Sequence, residues 1–110
     1  MVIELETINE ENTTVVTVAF YDEEGSAAVP VQAWYSLYCE TTGTEILIET
    51  EIVSLDASIE IEVTPAQNAI LDGDNEVETK LMTVKWTYGE AGAKQGSAEY
   101  RWNVRNLARI

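Results

Sequence analysis

The sequence predicts an all-β protein in which two packed, antiparallel sheets form a single sandwich. Helical periodicity is nearly absent, whereas apolar and polar residues alternate with period two in several segments, and turn signals recur every 10–18 residues. A chain of 110 residues suits one domain. We therefore expect residues 1–110 to fold together with seven or eight short strands.

The first half of the chain contains four predicted strands. Residues 2–8 form the first, and residues 1–12 are expected to act as an arm or an edge strand. TTVVTVAFY (13–21) and VQAWYSLYC (31–39) alternate with period two, and TEILIETEIV (44–53) is rich in β-forming residues. The residues of the two alternating strands predicted to face the core are Val16, Val18, Phe20, Val31, Ala33, Tyr35, Leu37 and Cys39.

The second half contains three more alternating segments, ASIEIEV (57–63), ETKLMTVKWTY (78–88) and SAEYRWNVRNL (97–107). A glycine-rich hairpin loop joins the last two, and residues 106–110 are left as a short C-terminal tail. The residues predicted to face the core are Ile59, Ile61, Val63, Met82, Val84, Trp86, Tyr88, Tyr100, Trp102 and Val104. This succession of short strands and turns is typical of an immunoglobulin-like β-sandwich.

The segment TPAQNAILDGDNE (64–76) interrupts the alternation. A proline that follows a threonine cap favours one short helical turn near residues 65–71. Asp72, Asp74 and Glu76 then follow at the spacing of oxygen ligands in calcium loops, but the full EF-hand pattern is missing. We expect an ordinary turn here, with calcium binding as the alternative, and we predict no metal or cofactor.

The residues that most enzymes use are scarce. The chain has no histidine, and its single cysteine, Cys39, lies in an alternating segment where a reduced core thiol is expected. The carboxylates of IEIEV and TEILIETE stand at strand period two and are expected to face solvent. We therefore predict a protein that is not an enzyme. With neither a long apolar run nor a leader segment, we expect an intracellular or intracellularly assembled protein without membrane contact.

Charge is segregated along the chain. Residues 1–79 hold 18 acids and no base, whereas residues 80–110 hold six bases and two acids, so −18 and +4 sum to the net charge of −14. Nucleic acid is an unsuitable partner for so acidic a surface, because its phosphates bind Lys and Arg. The basic end is expected to dock on an acidic partner. The alternative is that Lys80, Lys85 and Arg101 neutralise acids on neighbouring strands.

Two aromatic side chains are predicted to lie outside the core. If Leu37 and Cys39 face inward, Trp34 and Tyr38 project from the opposite face of the same strand, on either side of Ser36. Exposed aromatic residues on a sheet favour a protein contact, with a carbohydrate platform as the competing interpretation.

The stretches WYSLYCETTGTEI, PAQNAIL and YRWNVRNL resemble small immunoglobulin-like proteins from the structural gene blocks of tailed bacteriophages, over about residues 14–107. This resemblance implies a capsid decoration (cement or staple) protein on the outer surface of a virion, made in the host cytoplasm and bound to the major capsid protein or another virion protein, with homo-oligomers on the shell possible. A head–tail connector, a tail accessory protein and a carbohydrate- or receptor-binding module are the alternatives. The residues predicted to bind the partner are Arg101, Arg105, Arg109, Leu107, Trp34 and Tyr38.

Overall fold

The structure, a computed structural model, describes residues 2–109. This part of the chain contains eight strands and two short 3-10 turns, and the prediction of an all-β protein is confirmed. The strands are β1 (Val2–Glu4), β2 (Ile8–Asn9), β3 (Thr14–Ala19), β4 (Gln32–Cys39), β5 (Thr44–Glu51), β6 (Ser58–Val63), β7 (Val77–Tyr88) and β8 (Lys94–Arg105). The 3-10 turns are Glu90–Gly92 and Leu107–Arg109.

The strands form two sheets of unequal size. The larger sheet has the order β1-β8-β7-β4-β5, with β2 pairing farther along β8, and the smaller sheet contains only β3 and β6. The chain crosses between the sheets four times, before and after β3 and before and after β6, as expected of a sandwich. All pairings are antiparallel except those of β1 and β2, which run parallel to β8, so the expected all-antiparallel pairing does not hold at this edge.

The core lies between the two sheets and is filled by the alternating residues of β3, β4, β6, β7 and β8. Most of the predicted inward residues are buried, and Trp86 lies near its centre without exposed surface. The Trp86 ring packs edge-on against both Phe20 and Tyr21, with centroid distances of 5.3 and 5.2 Å. It also covers Gly96, its partner in β8, at which a Cβ atom would lie 2.5 Å from the indole. The central aromatic layer is therefore closely fitted on both sides.

Three residues predicted to face the core are less buried than expected. Val31 is 48% exposed because it precedes β4, whose first residue is Gln32. Tyr35 and Ile59 are only partly buried and line an open groove beside β6. The period-two pattern is correct for these two residues, but within the described residues no third strand lies beside β6 to close the groove.

The predicted helical turn after Thr64 is a hydrogen-bonded turn rather than a regular helix. The Asn68 amide donates to the carbonyls of Thr64 and Pro65, at 3.1 and 3.2 Å. The Gln67 amide donates to the Thr64 hydroxyl, and the Thr64 amide donates back to the Gln67 side chain. This reciprocal pair is a capping box, and it fixes the entry into the connection between β6 and β7.

Candidate functional site

The outer face of the larger sheet, the side turned away from β3 and β6, presents side chains in rows that cross neighbouring strands. One row runs from Glu45 in β5 through Tyr38, Leu81 and Arg101 to Glu4 in β1. Its centre is aromatic and aliphatic, and both ends are charged. A row of this composition resembles a small protein contact, with an apolar centre and a polar rim.

The two aromatic residues predicted to lie outside the core are both on this outer face. Tyr38 is 40% exposed, and Trp34 is half-buried between Glu51 and Lys85 of the adjacent strands. They lie four positions apart along β4, which is about 13 Å in a strand, and Ser36 is midway between them. They therefore mark two positions on a broad face and do not form one stacked pair.

Most of the basic side chains are neutralised within the molecule. Of the six bases, four form ion pairs within the described residues. The four are Lys80 with Glu78, Lys85 with Glu49, Lys94 with Glu23, and Arg101 with both Glu4 and Glu40. The alternative, neutralisation of acids on neighbouring strands, is confirmed for Arg101, whose partner Glu4 lies on the adjacent β1. Lys80 instead pairs within its own strand, and Lys85 pairs with Glu49 of β5, two strands away. These pairs reduce the expected basic docking strip.

Arg101 forms ion pairs with two carboxylates. Its Nε donates to Glu40 at 2.8 Å and its Nη1 to Glu4 at 3.0 Å. The hydrogen bond to Glu40, and after it the one to Glu4, raises the pKa of the Arg101 guanidinium above its ordinary value. Arg101 therefore links β1 and the end of β4 to β8, and it is less available to a partner than the sequence suggested.

Arg105 lies at the far end of β8 and is exposed, with no ion pair among the described residues. Its carbonyl accepts a hydrogen bond from the Glu10 amide, at 2.9 Å, which joins this end of β8 to the N-terminal segment. Of the bases whose side chains are described, it is therefore the one left for a partner. The side chain of Arg109 lies outside the described part of the chain.

The expected C-terminal tail, residues 106–110, is attached to the sandwich as far as it is described. Asn106 is 3% exposed, and its side-chain amide donates to the carbonyls of Gly73 and Asn75. The Glu10 carboxylate accepts a hydrogen bond from the Leu107 amide, at 2.9 Å. Leu107 is 48% exposed beyond this anchor, so its side chain is available for a contact.

A buried polar cluster at one end of the core was not predicted from the sequence. Glu78 and Lys80 have 0% and 1% exposed surface, and the Lys80 ammonium lies 3.2 Å from the Glu78 carboxylate. Lys80 also donates to the Ala69 carbonyl at 2.8 Å. The signal was present, because period two counted back from Met82 places Lys80 and Glu78 on the inward face of β7.

The Glu78 carboxylate holds the connection between β6 and β7 against the core. It accepts hydrogen bonds from the backbone amides of Leu71 and Asp72 at 2.8 and 2.9 Å, and from the Asn75 side chain at 3.1 Å. Burial raises the pKa of Glu78, but these hydrogen bonds and that from Lys80 lower it by more, so the pKa lies below its ordinary value. The group is therefore a structural anion at neutral pH, since every partner stabilises its charged form.

Asn68 completes the polar cluster beneath the capped turn. Its side chain is fully buried, accepts a hydrogen bond from the Trp102 indole at 2.9 Å and donates to the carbonyl of Asn12 and the hydroxyl of Thr14. No buried side-chain nitrogen or oxygen of the described residues lacks a partner. The cluster is fully satisfied within the fold, and its geometry indicates a structural role.

The acidic turn of residues 72–76 closes on itself. The Asp74 amide donates to the Asp72 carboxylate at 3.0 Å, and the Asn75 amide donates to the Asp72 carbonyl. No group of three or more candidate ligands within the described residues is arranged to hold a metal ion. Cys39, which was predicted to be a core thiol, is fully buried, and its sulfur lies 3.9 Å from the Glu78 carboxylate.

In the part of the chain that the structure describes, none of the helical segments has the length and apolar character needed to cross a membrane. The candidate site is the outer face of the larger sheet, where the exposed Tyr38 and the partly buried Trp34 and Leu81 lie beside charged residues. Comparison of the chain with protein-family models, with curated proteins and with solved structures finds no match.

Proposed function

We propose that this protein is a non-enzymatic structural protein of a tailed bacteriophage, and that it decorates the outside of the capsid by binding the major capsid protein. The observation that carries the proposal is the outer face of the larger sheet, where Tyr38, Leu81 and Trp34 lie between charged residues. The resemblance of the sequence to phage structural proteins supports the virion as its place. A decoration protein requires a complementary surface rather than a reactive group.

The size of the molecule is compatible with docking through one side. It measures 50 × 22 × 21 Å, so one long side projects roughly 1,100 Å². Each partner of a standard protein interface buries roughly 800 Å². The outer face therefore has room for a specific contact without rearrangement of the sandwich.

The acidity is consistent with a protein that must stay dispersed until a shell exists. A net charge of −14 keeps free copies apart, because like charges repel. The ion pairs of the outer face lower that repulsion locally, where Arg101 and Lys85 neutralise neighbouring acids.

Binding to expanded, undecorated capsids tests the proposal. The protein should co-sediment with the capsids, and Tyr38→Ala together with Trp34→Ala should reduce binding at least tenfold. The control is Thr17→Ala, an exposed position of β3 on the opposite sheet, which should bind as the parent does. Equal binding by the aromatic double variant and the parent would refute this use of the outer face.

Copy number in purified virions separates decoration from the alternatives. Hundreds of copies per particle would support decoration, whereas six or twelve would indicate a connector or a tail accessory protein. Incubation with a glycan panel provides the remaining comparison. Binding to glycans but not to capsids would favour a carbohydrate- or receptor-binding module.

A further inference from the structure

The smaller sheet has an open edge at β6. It contains only β3 and β6, and within the described residues no other strand pairs with it. The edge at β3 is flanked by the N-terminal segment, because Leu5, Glu6 and Ile8 share a cleft with Thr14 and Val15. The edge at β6 faces an open groove instead. An uncovered strand edge of this kind is a template for pairing with another chain.

Because the hydrogen bonds of an antiparallel pair alternate, the backbone groups of three residues in β6 form no hydrogen bond with β3. The Phe20 amide donates to the Ala57 carbonyl, at 2.9 Å, which fixes the phase of the ladder. The backbone groups of Ile59 and its alternate neighbours therefore point to β3. Those of Ser58, Glu60 and Glu62 point away from it, into the groove. This edge offers donors and acceptors at the spacing of a partner strand.

The groove beside this edge is partly apolar. It has a volume of about 640 Å³, and its apolar walls include Tyr35, Ile52, Leu55 and Ile59. These four side chains pack against the core but are only partly buried. Val53 at the same groove is 89% exposed. A third strand beside β6 would cover apolar surface that the two-stranded sheet leaves open.

The negative charge of the groove predicts which residues a partner strand would carry. Asp56, Glu60 and Glu62 line the groove, and no lysine or arginine is among the residues that line it. Glu60 and Glu62 project from the solvent side of β6, opposite to Ile59 and Ile61, because side chains alternate along a strand. Two copies of this edge would place like charges side by side, which disfavours pairing of β6 with itself.

We infer that the free edge of β6 binds an extended segment of a partner protein in which apolar residues alternate with lysine or arginine. The apolar residues of the segment enter the groove beside Ile59, and its bases lie next to Glu60 and Glu62. The backbone of the segment pairs with that of β6 and adds a third strand to the smaller sheet. This site lies apart from the outer face of the larger sheet, so it does not depend on capsid binding.

A synthetic eight-residue peptide that alternates isoleucine with lysine is the direct probe. It should bind the full-length protein in fluorescence anisotropy, and binding should weaken as salt is added. Two matched peptides serve as controls: one with glutamate in place of lysine, and one N-methylated at the alternate amides that would pair with β6. Both should bind at least tenfold more weakly. Equal binding of the N-methylated peptide would overturn strand pairing.

Variants of the edge locate the site. Glu60→Lys with Glu62→Lys should reduce affinity for the lysine peptide at least tenfold. Glu24→Lys with Glu90→Lys makes the same charge change at exposed positions outside the groove, and its affinity, measured at the same salt concentration, should fall much less than that of the edge variant. If both double variants lose affinity equally, the peptide is bound by net charge alone, and the proposal fails.

Proline at the edge tests the backbone itself. Glu60→Pro removes an amide that points into the groove, so the pairing of β6 with β3 is retained. The variant should keep the far-ultraviolet spectrum and lose peptide binding, and the N-methylated peptide gives the same test if this variant does not fold. Unchanged binding by folded Glu60→Pro would refute the inference. A dimer of the parent that Glu60→Pro abolishes would also refute it, since the occupant would then be a second copy.

Discussion

Strand β7 carries two lysines whose surroundings are opposite. Lys80 is 1% exposed and lies among the hydrogen-bonded groups that hold the connection between β6 and β7. Lys85, five residues later, faces solvent with 48% of its side chain exposed, and its ammonium lies 3.7 Å from Glu49. An odd separation along the strand sends the two side chains to opposite faces. Position in the period-two pattern, rather than residue type, decides whether a charged side chain is buried in the core or exposed at the surface.

The largest expected effect is the loss of the buried charge. Lys80→Ala should lower the free energy of unfolding by about 3–5 kcal/mol, because it leaves the Glu78 carboxylate buried without its ammonium partner. Lys85→Ala is the matched control on the same strand and should cost less than about 1 kcal/mol, as exposed pairs usually do. Urea titrations measure both values. Similar losses for the two variants would contradict the distinction between buried and exposed charge.

A substitution that changes no charge tests the packing of the aromatic core. Gly96→Ala places a methyl group where the Trp86 indole lies, at 2.5 Å, and should cost about 1–3 kcal/mol, since the buried ring has to shift. Gly73→Ala is its exposed control, because a Cβ atom there meets no other atom within 4 Å. Thermal unfolding should show a lower Tm for the first variant only. An unchanged Tm for Gly96→Ala would show that the aromatic layer is less closely packed than described.

The pH dependence separates a buried from an exposed carboxylate. The lowered pKa of Glu78 means that its stabilising contribution is complete above the ordinary glutamate pKa of about 4.3 and is lost as the pH falls through the folded pKa. As the pH falls below about 4.3, the parent should therefore lose stability more steeply than Glu78→Gln, whose amide does not titrate.

Glu23→Gln is the control for this pH profile. The pKa of Glu23 is also lowered, by its hydrogen bond from Lys94, but this pair lies at the surface. Its pH profile should stay close to that of the parent. Urea midpoints at each pH give both slopes. If Glu78→Gln and the parent lose stability in parallel, Glu78 does not determine the pH dependence of stability.

The sequence predicted burial correctly where burial depends only on a residue's position along its own strand. Val18, Trp86 and Trp102 are buried as expected because alternation determines the face from local information alone. The parallel pairing of β1 and β2 with β8 was not predicted, since the partner of an edge strand is decided by the tertiary fold. The shifted register between β4 and β5 likewise has no regular alternation to signal it.

The candidate site was predicted in part, for a related reason. The outward positions of Trp34 and Tyr38 followed from alternation, whereas the partners of Arg101 did not, because Glu4 and Glu40 lie 97 and 61 residues away in sequence. Alternation places Glu78 and Lys80 on the inward face, where they are buried, although charged side chains usually face solvent. Hydrogen bonds from the connection between β6 and β7 stabilise them in the core, and only the folded chain brings these groups together.

The smallest effect on stability is expected at the basic C-terminal end, where Arg105 is exposed beyond the neutralised bases. Arg105→Ala with Arg109→Ala should change the free energy of unfolding by less than about 1 kcal/mol. If these arginines contact an acidic shell, the same change should weaken capsid binding at least tenfold, or about 1.4 kcal/mol, and added salt should weaken the parent similarly. Lys94→Ala, which removes an exposed base already paired with Glu23, is the control and should bind as the parent does. Full decoration by the double variant would leave the outer face of the larger sheet as the docking surface and would assign the basic end to neutralisation of the protein's own acids.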